Sequence, residues 1–467
     1  MLDISHKQYL LSSTRQTITG MSELSVGEGK YLYIGEQLPV KSGRTASGKA
    51  FILIGEAYCC DQYPREAVED LKTVTGEAVE AITRYWTGRW MLILDNELIT
   101  DACGLMSAFY YRNGDEWMIS SSLALICRQA RIEVNKTVAK NGLTWQLLPS
   151  TIFPDVRLLF CTQKMTIGDT LEMRYVDRFS QWKGLSYEGR ITTITGSLTS
   201  ALKNIERFSG RKIWLALTAG KDSRLTFAAA MKAGVTFDTY TARHKNMSEA
   251  DRHLPEVISA KYGIRHHLLD KGQYTPSKYE EYVAFTGGNS LGADAEFYAT
   301  GQFDQIPDDA VVIKSGLFEA GQSYARRIAG GNETSFADGM KTYYRSSFVD
   351  ESQTLVFDEW MEYQRRNPMP GIDIRDRFYL EQRLNGWASA IEQSLTINPF
   401  SSIQIANSAV VLGCLLYASE EDRKDLRLSY DLIRKLDEKL LEYPVNQRCW
   451  QDQVRIVLNG LKKRLHL

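Results

Sequence analysis

The sequence predicts two domains: a layered α+β domain over residues 1–190, then an α/β domain with a doubly wound parallel sheet over 191–467. Three observations carry this. At 467 residues the chain exceeds what one core comfortably holds. Its first part alternates short apolar runs with Asn, Asp and Gly, the signature of hairpins. Past residue 200, strand-like and helix-like segments take turns, as in a parallel sheet with crossover helices.

In the first part, Arg89 to Leu94 reads as a strand that turns at Asp95-Asn96-Glu97 into Leu98-Ile99-Thr100. Ala108 to Tyr111 meets Glu116 to Ile119 across Asn113-Gly114-Asp115. Apolar positions three and four residues apart predict a helix over Arg65 to Thr83. In the second part, strands fall at 212–217, 237–241, 265–269 and 310–313, with helices at 222–232 and 248–262. From about residue 350 the pattern is mostly helical, and no internal repeat appears.

Composition excludes several classes. Hydrophobic residues make up 43% and charged residues 24%, with a net charge of −1, so no global field recruits nucleic acid or an anionic membrane. No apolar stretch has membrane-spanning length, and the first residues lack the order of a signal peptide. Seven cysteines without a CxxC point to a reducing, cytoplasmic setting rather than a disulfide framework. Six scattered histidines do not suggest zinc. The basic run Lys462-Lys463-Arg464 reads as a solvated helix end.

The chemistry concentrates at Leu217-Thr218-Ala219-Gly220-Lys221-Asp222-Ser223-Arg224, where the strand at 212–217 runs into a helix. In open α/β sheets ligands bind beyond the carboxyl ends of strands. Gly220 permits a tight turn, Thr218 and Ser223 offer hydroxyls, and the helix start presents unsatisfied N–H groups. That combination suits phosphate or pyrophosphate, with Lys221 and Arg224 as neutralising charges and Asp222 as a magnesium ligand. It is neither a Walker A loop, since Leu215 stands where the first Gly belongs, nor a GxGxxG. The plainer alternative is a strand-to-helix connection capped by Ser or Asp.

Thr218 to Ser223 resembles the Ser-Gly-Gly-x-Asp-Ser loop of the PP-loop ATP pyrophosphatases. Ser315-Gly316-Leu317-Phe318-Glu319-Ala320-Gly321 is similar to the Gly-rich acidic loop of asparagine synthetases. Tyr379 to Arg383 with Asn398-Pro399-Phe400, Ile54 to Tyr58, and Asp101-Ala102-Cys103-Gly104-Leu105 before Tyr110-Tyr111 resemble further segments of that family, in family order. The likeness covers nearly the whole chain. It implies an Ntn-hydrolase-like first domain and an adenine nucleotide α-hydrolase-like second domain that uses ATP and Mg²⁺ to adenylate a carboxylate for an amine to attack. By carry-over, Thr218, Ala219, Gly220, Asp222 and Ser223 would hold pyrophosphate, and Leu217 and Thr241 would flank the adenosine. Ser315 and Gly316 would approach the α-phosphate, and Asp222 and Glu319 would bind the metal. Arg383, Glu392 and Tyr379 are weaker candidates for substrate contact.

The resemblance breaks at the start. The family's glutaminase needs a cysteine exposed by methionine removal, whereas Leu2 follows Met1 here and the first cysteine is Cys59. Ile54 also replaces the family's Asn. The expectation is therefore an amide ligase without glutaminase activity, resembling β-lactam synthetases and lasso-peptide cyclases. It would act on small-molecule or peptide carboxylates and amines, in specialised-metabolite, peptide or cell-surface glycan biosynthesis. A homodimer is compatible with it; nucleic acid and membrane are not expected partners. The competing expectations are an inactive binding or scaffold protein that keeps the fold, and another PP-loop chemistry such as tRNA thiolation or argininosuccinate formation.

Overall fold

The computed structural model describes residues 3–445, apart from 28, 75–78, 135–146, 154, 245–246, 291 and 344–350. The basic run at 462–464 thus lies outside the described residues. Among the described residues seventeen strands form three sheets. They are β1 Tyr9–Ser12, β2 Met21–Ser25, β3 Tyr31–Gly35, β4 Val40–Arg44, β5 Ala50–Cys59, β6 Trp86–Leu94, β7 Glu97–Thr100, β8 Phe109–Asn113 and β9 Glu116–Ser120. Then come β10 Val156–Leu158, β11 Gln163–Ile167, β12 Leu171–Tyr175, β13 Lys212–Ala216, β14 Phe237–Ala242, β15 His266–Leu269, β16 Ala310–Lys314 and β17 Ser401–Gln404.

The first half contains two six-stranded antiparallel sheets, ordered β10-β8-β9-β1-β3-β2 and β12-β11-β7-β6-β5-β4. Alternation along β5 explains how they stack. Ile52 and Ile54 point into a core shared with Leu11, Leu32 and Ile119 of the other sheet. Phe51 and Leu53 point the other way, onto α1 (Ala67–Thr73) and α2 (Val79–Thr83). On the far face of the first sheet, Leu10, Phe109 and Met118 pack on α3 (Leu123–Ala130) and on Phe336, Trp360 and Phe378 from the second half. The layers therefore run helix, sheet, sheet, helix.

Two expectations need correction here. The single helix over 65–83 is two short helices among the described residues, because Val74 leaves α1 in an extended conformation (φ −101°, ψ 154°). The division at residue 190 falls inside α4 (Tyr187–Ser209), whose first turn is capped by the Ser186 hydroxyl. The first half's last strand ends at Tyr175, so the change of architecture lies within 176–186.

The third sheet is wholly parallel, with order β15-β14-β13-β16-β17. Its alternating side chains reach helices on both faces. Ile213, Leu215, Val311 and Ile313 pack with α4, α5 (Lys221–Ala233) and α6 (Glu249–Lys261), through Leu198, Phe227 and Ile258. Trp214, Tyr240 and Val312 face Phe303, Leu395 and Phe400. The chain leaves β13 toward β14 on one side and returns to β16 on the other, so strand order reverses beside β13. Such a reversal opens a crevice at the carboxyl ends of the strands. The fifth strand, β17, completes the sheet at its edge and has no counterpart in the sequence expectation.

A buried polar seam joins the halves. Asn407 accepts from the Cys103 N–H at 3.0 Å and donates to the Gly88 carbonyl at 2.6 Å and to Asp101 Oδ1 at 2.9 Å. Lys7 Nζ donates to the carbonyls of Asn398, Pro399 and Phe400, and Gln382 bonds both the N–H and the carbonyl of Leu148. Arg211 is ion-paired with Glu56. Replacing Asn407 by Leu should strand three buried polar groups and lower stability by about 3 kcal/mol or more. Calorimetry of that variant should show the Tm fall while unfolding stays one cooperative transition; separate transitions for the halves would contradict an integral seam.

Candidate active site

The carboxyl end of β13 passes through Leu217-Thr218-Ala219-Gly220 into α5, a strand-to-helix turn held by its own polar atoms. The Ser223 hydroxyl accepts from the Thr218 N–H at 3.0 Å and donates toward the carbonyls of Thr218 and Gly220. Thr218 Oγ1 accepts from the Gly220 N–H at 3.1 Å. The Ala219 N–H is taken by Asp251 Oδ1 at 2.8 Å, and Asp251 is itself fixed at the start of α6 by the Ser248 hydroxyl. Ser248-x-x-Asp251 is a helix-start signature readable in the sequence, though its contact with the loop is not.

Gly220 occupies the N-cap of α5 and supplies no side-chain cap. Ser223 works inside the turn, and Asp222 is paired with Lys221 instead, Nζ to Oδ1 at 2.7 Å. The plainer reading, a helix capped by Ser or Asp, therefore does not describe this loop. The first-turn N–H groups of α5 keep their partial positive charge toward solvent, as anion-binding helix starts do.

That helix start opens on a cavity of about 420 Å³ lined by Thr218, Gly220, Lys221, Asp222, Ser223, Glu319, Gln322, Arg327 and Leu426. Glu319 lies in a tight helical turn, Gly316–Gln322, that follows β16. The Tyr379 hydroxyl donates to Glu319 Oε2 at 2.8 Å. Tyr379 is a buried core residue and also the group that fixes the acidic side chain at the cavity mouth. Burial raises the Asp222 carboxyl above its ordinary value; Lys221 opposes this, and the nearby Glu319 charge adds to it. Two carboxylates sharing one cavity, one of them desolvated, form a donor set suited to a hard divalent cation. Among the described residues no cluster of three or more His, Cys, Asp or Glu gathers to bind metal, at this cavity or elsewhere, so Asp222 and Glu319 are its two acidic groups.

A second cavity, of about 670 Å³, adjoins the first at Thr218. Leu217 and Thr241 line it at the ends of β13 and β14, joined by a bond from Thr241 Oγ1 to the Leu217 carbonyl at 2.6 Å. Ala242, His244 and Met247 extend the same wall.

Four candidate residues are engaged elsewhere. Arg224 is fully buried, and its guanidinium donates to the carbonyls of Leu440, Tyr443 and Pro444. It sits two positions beyond Asp222, about 200° around the helix, and so points away from the cavity. Arg327, which sequence reasoning did not single out, is the guanidinium that lines the cavity. Ser315 is bonded to Thr226 at 2.8 Å, and the Gly316 N–H donates to Gln404 Oε1 at 2.9 Å, so neither lines the smaller cavity. Arg383 stacks on Trp387 at 3.6 Å from the ring centroid, a packing role.

Five described cysteines of the first half and Cys414 of the second are free and buried, and desolvation pushes each thiol up, away from nucleophilic reactivity. Glu56, in the segment that resembles the family's glutaminase strand, is committed to Arg211.

Two outcomes follow. A carboxyl group whose pKa is raised by folding stabilises fully only below its unfolded value near 3.8, and that contribution is lost as pH rises through the folded value. Ionised Asp222 therefore destabilises the free protein at neutral pH. Asp222→Asn should raise the free protein's Tm while abolishing Mg²⁺-dependent nucleotide binding. In the unsubstituted protein, that binding should weaken on acidification at a higher pH than an ordinary aspartate would give. Arg224→Gln should cost about 3 kcal/mol of stability by uncovering buried carbonyls, yet leave nucleotide affinity of the folded protein within about twofold, measured by titration calorimetry.

No protein-family model matches the chain, and no curated protein matches it. Among solved structures, it is similar to the allosteric regulatory enzyme of purine biosynthesis, at 10% identity and a TM-score of 0.23 over 72% of this chain and 74% of that one. A second is glutamine phosphoribosylpyrophosphate amidotransferase from B. subtilis complexed with ADP and GMP, at 9% identity and a TM-score of 0.21 over the same shares. Superpositions this loose say nothing of the chemistry here.

Proposed function

We propose that this chain is an ATP-dependent, AMP- and pyrophosphate-forming amide ligase of the asparagine-synthetase type. Its second half would be an adenine nucleotide α-hydrolase-like synthetase, and its first half an Ntn-hydrolase-like domain without glutaminase activity. The observation that carries the reading is the uncapped start of α5, opening with Asp222 and Glu319 on one cavity at the sheet's reversal point.

The residues divide the work in a physically consistent way. The α5 N–H groups suit the oxygens of a departing pyrophosphate, where fixed dipoles stabilise developing charge, and the Ser223 and Thr218 hydroxyls hold the turn that presents them. Lys221 and Arg327 add positive charge to the cavity lining. Asp222 and Glu319 would hold Mg²⁺, which when bound supplies charge neutralisation for phosphate oxygens. Tyr379 fixes the position of Glu319. Leu217, Thr241 and Met247 would bracket the nucleoside in the larger cavity, and Ala219 is spent on holding the loop to α6. A carboxylate activated as its acyl-adenylate then loses AMP to an attacking amine.

The reading that keeps the fold as a scaffold draws on one observation, the Lys221–Asp222 pair, which already neutralises the metal-binding carboxylate. Exchange of labelled pyrophosphate into ATP across a panel of carboxylates separates the two. A ligase should show exchange dependent on one acid, reduced at least about 100-fold in Asp222→Ala. Absence of any ATP–Mg²⁺ binding would leave only the scaffold.

A further inference from the structure

The larger cavity has an end that the nucleoside would not fill. Strands β14, β13 and β16 run side by side beneath it, and Leu217 and Thr241 mark the β13/β14 edge. Over β16 the lining changes to Lys314, Asp294, Phe297, Phe303, Leu395 and Phe400. Behind Lys314 lies Glu392, 1% exposed, with Oε1 at 3.3 Å from Lys314 Nζ and accepting from Gln404 Nε2 at 2.8 Å. Its other oxygen, Oε2, is buried without a hydrogen-bond partner among the described residues. Tyr240 also lines the cavity at 6% exposure, and its hydroxyl makes no hydrogen bond among the described residues.

Charge decides what this end can take. Two carboxylates, Asp294 and Glu392, stand against one ammonium, Lys314, while Glu296 in the same lining is paired with Lys271, so the group carries excess negative charge in a largely apolar surround. Burial, and then the Glu392 charge, raise the Asp294 carboxyl, with Lys314 opposing. An incoming carboxylate would meet a lysine already paired and two like charges. A protonated amine would meet the open Asp294 carboxylate and a free phenol oxygen, with aromatic rings beside it.

We propose that this end of the cavity is a binding subsite for a primary amine on an apolar stem. Its ammonium is held by Asp294 and Tyr240, with Glu392 as the second negative charge, and its apolar body lies among Phe297, Phe303 and Phe400. As the place of the attacking substrate, the subsite rests on the ligase reading; amine binding itself is measurable without nucleotide.

The test is titration calorimetry of the full chain with phenethylamine and with phenylacetate, each with and without ATP–Mg²⁺. Phenethylamine should bind saturably, weaken about tenfold or more in Asp294→Asn and a few-fold in Tyr240→Phe, and weaken as pH exceeds the amine's own pKa. Thermal melts establish that both variants fold. Binding undiminished in both variants, or preference for phenylacetate, would overturn the subsite. Absence of phenethylamine binding in samples that bind ATP–Mg²⁺ would also overturn it, while leaving the ligase reading intact. Amine binding in samples that bind no nucleotide would keep the subsite and sink the ligase.

Discussion

The amide of Asn407 is the point on which the two architectures depend. A side-chain amide offers both a donor and an acceptor, and this one spends them on the Cys103 N–H, the Gly88 carbonyl and Asp101. Asp101 in turn accepts from the N–H groups of Leu105 and Met106 and so shapes the turn after β7. Burial drives its carboxyl up, and the Asn407 amide with the N–H groups of Leu105, Met106 and Trp90 opposes that shift. The loop carrying Asn407 connects β17 to the helix Ala409–Leu416, which is fully buried and packed against α4. The parallel sheet, its edge strand and the antiparallel half are thus positioned by one connected set of buried bonds.

From that placement the ligand side of the sheet follows. The crevice exists because the strand order reverses at β13, and it is polar because the β13–α5 turn satisfies itself internally through Ser223 and Thr218. A glycine at the N-cap matters for what it omits. A serine or aspartate there would bend back onto the first-turn N–H groups, whereas Gly220 leaves them available. Asp222 and Glu319 then come from different strands' ends, 97 residues apart, and meet only through the sheet.

What the sequence discloses is local. The strands β13, β14, β15 and β16 and the helices α5 and α6 were legible because each is an apolar run or stripe bounded by turn residues, whereas the helices Pro276–Thr286 and Ala293–Ala299 between β15 and β16 were not. The hairpin β8–β9 was legible from Asn113-Gly114-Asp115. Strand β17, Ser-Ser-Ile-Gln, has no apolar alternation to betray it and is a strand only because β16 offers it an edge. The break after α1 comes from an extended Val74, a residue that composition would have left in a helix. In the site, Thr218 to Asp222 could be found because the chemistry is contiguous. Arg327 and Asp251 could not, since they reach the loop from other elements. Arg224 shows that adjacency in sequence is not adjacency in space: helix rotation carries it to the opposite face.

Tyr379 opens a π-helical stretch, Tyr379–Ala388, a rare geometry that widens the spacing of side chains along a helix. One end of this stretch fixes Glu319 at the cavity. Further along, Glu381 takes the hydroxyl of Thr162 at 2.6 Å, Gln382 clasps Leu148, and Asn385 accepts from the Cys161 N–H at 2.7 Å. A single irregular helix is thereby moulded by the antiparallel half along its length and delivers an acidic group to the other half's crevice. A domain whose own thiols are buried and inert still acts as a casting form for its neighbour.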